Sequence, residues 1–123
     1  MILVDTPVWI NHLRVADERL TALLDAGEVL GHAFVIGELA LGNLQPRDAV
    51  LNDLRDLPQA TVAENEHVLD FIERSALFQR GIGYVDAHLL AAARLTLDAR
   101  LWTTDRRLQS VAAELDLAAN LFQ

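Results

Sequence analysis

The 123-residue chain is 52% hydrophobic with 6% aromatics, carries a net charge of −8, and contains no cysteine. That profile predicts one aliphatic domain over residues 1–123, large enough to bury a core without staples, and excludes a disulfide framework or a thiolate metal site. All ten basic residues are arginine, which removes mechanisms needing a P-loop lysine, a Schiff base or an ammonium clamp. The acidity argues against a protein that coats nucleic acid electrostatically. A nuclease is still compatible, because carboxylates gathered around a divalent metal add negative charge that the metal offsets locally. No apolar run is long enough to span a bilayer, and Asp5 precedes any positive charge, unlike a signal peptide. The expectation is a cytoplasmic protein with no membrane association.

In chain order, Ile2, Leu3 and Val4 form a wholly apolar, strand-like run that ends on Asp5. A strand apolar on both faces belongs at the centre of a parallel sheet. A helix is predicted over 7–14, with Pro7 in its first turn, and a second over 17–26 with Gly27 as its stop. Residues 28–31 read as a short strand, followed by a helix over 34–42. Another helix is predicted over 47–56, bounded by Pro46 and Pro58. Residues 60–63 read as a third strand. A longer amphipathic helix spans 64–78, with Val68, Ile72 and Ala76 on one face, and 79–84 is a glycine-punctuated loop. The helix over 85–97 is apolar nearly all round and is expected to be buried. A fourth strand over 100–103, a helix over 105–115 and an edge strand over 118–121 complete the chain. This alternation predicts an α/β fold in three α/β/α layers, with a central parallel sheet of four to five strands.

Four acidic residues carry the chemical signal. Asp5 and Asp105 each follow a strand, and parallel strands all end at one edge of the sheet, where open α/β folds bind their ligands. Each could instead be a helix cap. Glu38 has Phe34, Val35, Leu41 and Gly42 at i±3 and i±4, so the pattern places it on an apolar stripe where an unpaired charge is costly. Asp86 has Leu89, Leu90 and Ala93 on its face. It also lies in the first turn of its helix, where the dipole favours a carboxylate by roughly 0.3–1 kcal/mol; that tolerates the charge without explaining the choice of face. Helices in such a chain begin where strands end, so all four carboxylates are expected at one cleft. They cannot all stay ionised together without a cation. Oxygen-only ligands suit Mg²⁺, with Mn²⁺ possible, rather than zinc. Thr6, Thr103 and Thr104 place hydroxyls beside the acids, and Arg80, Arg106 and Arg107 are candidates for meeting a phosphate backbone. His12, His32, His67 and His88 show no ligand spacing and read as structural or surface groups.

The segments ILVDTPVWINHLR, GHAFVIGELALGNL, RGIGYVDAHLLAAARL and LWTTDRRL together resemble VapC-type toxins of the PIN-domain family, in the right order over nearly the whole chain. The resemblance implies a compact α/β/α ribonuclease dependent on Mg²⁺ or Mn²⁺, a homodimeric toxin, and a VapB-type antitoxin that covers the site. It places the family's four acids on Asp5, Glu38, Asp86 and Asp105, with Asp5 and Asp86 as the principal metal ligands. Glu38 would assist directly or through water, and Asp105 has the most variable role. Thr104 or Thr103 would fill the hydroxyl position near the fourth acid, and Thr6, Thr104, Arg80 and Arg106 would contact substrate. Pro7 stands where serine or alanine is common, which suits a first helical turn.

The implied activity is an endoribonuclease that attacks RNA with a metal-activated water, arresting translation and growth. Two alternatives use the same scaffold: an inactive module that binds a protein partner, and a nuclease acting on single-stranded DNA. Phosphoaspartate phosphatases and receiver domains fall, because both need a lysine; the former also want an aspartate where Pro7 stands.

Overall fold

The structure is a computed structural model that describes residues 1–121. Three parallel strands, β1 (Ile2–Val4), β2 (Val29–Leu30) and β3 (Arg100–Trp102), form a sheet in the order β2-β1-β3. The apolar N-terminal run is therefore the central strand. Leu3 lies opposite Leu30 on one side and Leu101 on the other, and Val4 lies opposite Trp102. Successive strand residues point to opposite faces. Leu3 and Val4 are both fully buried, so both faces of the sheet are covered.

Seven helices account for most of the remaining described chain: α1 (Thr6–Arg14), α2 (Glu18–Asp25), α3 (Ala33–Ala40), α4 (Arg47–Asp56), α5 (Asn65–Arg74), α6 (Tyr84–Leu95) and α7 (Arg106–Glu114). α6 is buried at every position from Ala87 to Ala93, as its nearly continuous apolar sequence requires. Its run of alanines lets the backbone lie close to its neighbours. Gly27, at φ +70°, ends the α2 segment in the left-handed region that glycine enters without a Cβ clash.

The sheet has fewer full strands than the predicted four to five. The segment 60–63 forms no ladder: Gly31 and Gln59 make a single parallel bridge, held by Gly31 N–H donating to Pro58 O and Ala60 N–H donating to Gly31 O. Beyond it the Thr61 amide turns to the Thr96 hydroxyl. At the other edge the predicted strand 118–121 is one bridge between Leu101 and Ala118. The sheet thus has three strands, each edge extended by one residue pair. The predicted helix over 64–78 also stops early, at Arg74. Ala76 adopts φ +51° there and its neighbour Leu77 donates to Ile72 O, closing the helix in the manner normally given to glycine.

Candidate active site

Strand β1 delivers Asp5 to the carboxyl edge of the sheet, where its amide donates to Trp102 O of β3 at 2.9 Å. The side chain is 5% exposed. It caps α1 as well: Oδ1 accepts from Thr6 N–H at 2.8 Å, and Oδ2 accepts from the Thr103 hydroxyl at 2.8 Å. Burial pushes the Asp5 carboxyl above its ordinary value. Asp86 and Glu38 push in the same direction, against the lowering effect of the two hydrogen bonds.

Glu38 reaches the same place from α3, with Oε1 accepting from the Thr6 hydroxyl at 2.7 Å. It does not emerge from a buried stripe. Glu38 is exposed and its neighbour Leu41 is 91% exposed, because α3 buries only Val35 and Leu39. Of the apolar positions around Glu38, Leu41 and Gly42 are exposed, Phe34 is half-buried and Val35 is buried, so Glu38 stands at the edge of the buried stripe and its charge is not forced into the core. Asp86 is half-buried at the start of α6. Leu89 and Leu90, which share its face, are fully buried, as the spacing predicts. Its Oδ2 reaches back to accept from Gly83 N–H at 2.9 Å, one half of a capping box; glycine has no side chain to complete the other. Burial raises the Asp86 carboxyl, as do Asp105 and Glu38. Asp105 caps α7, with Oδ1 accepting from Arg107 and Leu108 amides at 2.9 and 3.0 Å.

The four acids therefore form one electrostatic cluster: Asp5 feels Asp86 and Glu38, and Asp86 feels Glu38 and Asp105. Among the described residues, no cationic side chain is among the influences on Asp5 or Asp86. Two threonines hold the cluster together. Thr6 ties α1 to Glu38, and Thr103 both donates to Asp5 and accepts from the Asp105 amide at 3.1 Å. Of the two candidate hydroxyls near the fourth acid, Thr103 is the buried one that makes these bonds. Thr104 is exposed and, among the described residues, makes no side-chain hydrogen bond. Thr103→Val, which keeps the shape and removes the hydroxyl, is expected to cost about 1–3 kcal/mol of stability by orphaning the Asp105 amide and one Asp5 oxygen. Urea unfolding measures this.

The donor set is all carboxylate oxygen, the chemistry of a hard divalent cation. Among the described residues, no three His, Asp or Glu side chains stand together in a metal-holding arrangement. Both Asp5 oxygens, one Asp86 oxygen, one Glu38 oxygen and one Asp105 oxygen are engaged in hydrogen bonds. The residues fit a cation by donor chemistry and mutual repulsion, and Glu38, Asp86 and Asp105 each keep a second carboxylate oxygen outside those bonds.

The arginines differ in placement. Arg80 is committed to Glu114, with two guanidinium nitrogens at 2.9 Å from its two carboxylate oxygens. Glu114 ends the nine-residue α7 whose start carries Asp105, so Arg80 is held about 13 Å away along that helix. Arg106 and Arg107 lie in the first turn of α7, beside Asp105, and both are exposed.

The amino-acid sequence from residue 2 to residue 114 matches the PIN domain. The chain belongs to the PIN-domain family. Ribonuclease VapC32 of Mycobacterium tuberculosis, from two strains, is 50% identical to it over 118 residues, which cover 96% of this chain and 95% of the relative. It is a PIN domain of the VapC type.

Three of the four histidines of this PIN domain take structural places, and His67 is exposed. His12 Nδ1 accepts from the Asp17 amide, and His32, fully buried, caps α3 through Nδ1 to the Phe34 amide. Burial, assisted by His88, lowers His32 to a pKa of about 4, so it is neutral at physiological pH. His88 packs between Phe34 and Tyr84, with ring centroids at 4.6 and 4.8 Å. This aromatic cluster joins α3 to α6, the helices that carry Glu38 and Asp86. Tyr84 and His88 share the i, i+4 spacing of α6, but Phe34 comes from a distant segment, and sequence spacing does not connect the two.

Proposed function

We propose that this PIN domain is the toxin of a VapBC-type, type II toxin–antitoxin pair: a single-domain endoribonuclease that uses Mg²⁺ or Mn²⁺ to hydrolyse RNA phosphodiester bonds and so stops translation and growth. The observation that carries this reading is the set of four carboxylates whose charges act on one another at the edge of a parallel sheet. The likeness to a protein named as a ribonuclease supports it.

In this reading Asp5, Glu38, Asp86 and Asp105 hold the cation, with Asp5 and Asp86 as principal ligands. When bound, the cation would supply charge neutralisation at the scissile phosphate and a water of lowered pKa. The chain's own contribution is placement. β1 and β3 fix the backbone at Asp5 and Asp105, while Thr6 and Thr103 set the carboxylate orientations. Thr6, Thr104 and Arg106 stand beside the substrate position; Arg80, proposed from sequence as a substrate contact, would first have to leave Glu114. No protein nucleophile is required, because the attacking oxygen comes from water.

The proposed partners are a VapB-type antitoxin, RNA and a second copy of the chain, in the cytoplasm. Ile10, Leu13 and Val15, along and after α1, are exposed apolar side chains that an antitoxin would cover. Among the described residues, no helix is long and apolar enough to cross a membrane.

The test is cleavage of a mixed-sequence RNA pool by purified protein, with single-stranded DNA in parallel. The expected result is RNA cleavage that depends on Mg²⁺ or Mn²⁺, stops with chelator, and leaves 5′-phosphate and 3′-hydroxyl ends. Products ending in 2′,3′-cyclic phosphate would show that the 2′-hydroxyl attacks and would overturn the mechanism. Cleavage of DNA alone would overturn the substrate.

A further inference from the structure

We propose that Arg107, seated on Gly81, binds a backbone phosphate of the RNA beside the scissile one; this inference rests on the ribonuclease reading above. Three observations carry it. The first is a shaped seat. Gly81 lies in the loop between α5 and α6 at φ +78°, and a Cβ built there would stand 2.6 Å from both Cδ and Nη1 of Arg107. The side chain thus lies against bare backbone that only glycine offers, in a conformation that glycine also favours.

The second observation is an uncommitted charge. Among the described residues, the Arg107 side chain makes no hydrogen bond or ion pair, whereas Arg74, Arg80 and Arg100 are paired with Asp70, Glu114 and Asp116. It also lies in the first turn of α7, where the positive end of the helix dipole disfavours a cation. A helix optimised for stability alone would place an acid there.

The third is location. Arg107 is two residues from Asp105, whose carboxylate caps its amide. Gly81 is two residues from Gly83, whose amide holds Asp86. The guanidinium therefore bridges the two segments that present the third and fourth acids, yet it does not figure among the charges acting on Asp86. It leaves the carboxylates free for a cation and keeps its own donors for a separate anion. A guanidinium fork matches a phosphate by paired hydrogen bonds. A strand entering a cleft of net negative charge needs such a contact beside the metal.

The experiment compares the native chain, Arg107→Ala, Arg107→Lys, Gly81→Ala and, as a control cation outside the site, Arg74→Ala. Steady-state cleavage of a mixed-sequence RNA pool is followed in Mg²⁺. Binding of labelled single-stranded RNA is followed against salt, each variant being placed in an Asp86→Asn background that does not cleave. Arg107→Ala is expected to raise KM about tenfold with kcat nearly unchanged. It is also expected to make the slope of log affinity against log salt shallower by about 0.7, the value of one phosphate contact on a single strand. Arg107→Lys should restore the slope but only part of the KM, because it keeps the charge and loses the fork. Gly81→Ala should displace the guanidinium and raise KM. Adding Arg107→Ala to it should then raise KM no further, which separates loss of the seat from misfolding. An unchanged salt slope and KM in Arg107→Ala, with the native chain cleaving RNA, would overturn this inference alone. A native chain that neither binds nor cleaves RNA would overturn the ribonuclease reading and this inference with it.

Discussion

Asp86→Asn is expected to reduce RNA cleavage by about a thousand-fold or more while raising the melting temperature of the metal-free protein. A catalytic cation stabilises developing charge by several kcal/mol, and each 1.36 kcal/mol is worth about a factor of ten in rate, so losing a principal ligand removes roughly three decades. The stability effect has the opposite sign. The Asp86 carboxyl is raised by burial and by its acidic neighbours Asp105 and Glu38, so the folded state prefers it protonated. A carboxyl raised on folding contributes stability that is fully present below its ordinary value of 3.8 and is lost as pH rises through the raised value. At neutral pH the ionised group is therefore a burden, which asparagine removes. Asparagine can still accept from Gly83 N–H through its carbonyl oxygen. The melting temperature of the variant should exceed that of the native chain in chelator, and the gap should widen as pH rises from 4 to 7. Added Mg²⁺ should stabilise the native chain and close the gap. Thermal scans with and without Mg²⁺ check this, and a variant less stable than the native chain in chelator would contradict the proposed repulsion.

Leu3→Ala should lower stability by about 2–5 kcal/mol, the range for a fully buried leucine whose cavity cannot collapse. Leu3 lies on the central strand between Leu30 and Leu101 and has no exposed surface. Its neighbours are fixed by ladder hydrogen bonds on both sides, so little relaxation is available. The melting temperature should fall by roughly 10 °C or more, with cleavage kept at temperatures where the variant is folded, because Asp5 keeps its bonds to Thr6 and Thr103. A urea series measures the first effect. A loss below about 1 kcal/mol would mean that β1 is not the buried centre of the fold.

The central placement of β1 was legible because Ile2, Leu3 and Val4 offer no polar face, and the burial of α6 was legible because its apolar residues surround the axis. Asp5 and Asp105 were legible as strand-end acids, and each also caps a helix, so the cap and the site readings are compatible at both positions. The sheet edges were less legible. The run at 60–63 has strand-like composition, but composition does not say which partner its amides find, and Thr96 takes the Thr61 amide. The early end of α5 was hidden because Ala76 occupies a left-handed position for which glycine is the usual signal. Glu38 was misjudged on burial: helical offsets identify which residues share a face, but not whether that face meets the core, and Leu41 faces solvent. The choice between Thr103 and Thr104 rested on which side of the strand end faces Asp5, and adjacent residues of one type give no indication of that. Arg80 has a plausible position in the sequence, yet Glu114, 34 residues on, takes its charge.

Asp5, Glu38, Asp86 and Asp105 are proposed to hold one divalent cation together. Direct titration of Mn²⁺ into metal-free protein, followed by electron paramagnetic resonance of the free ion, tests it without relying on any RNA. Saturable binding to the native chain is expected, weakened at least about tenfold in Asp86→Asn and competed by Mg²⁺. Mn²⁺ binding equal in the native chain and in Asp86→Asn would contradict it.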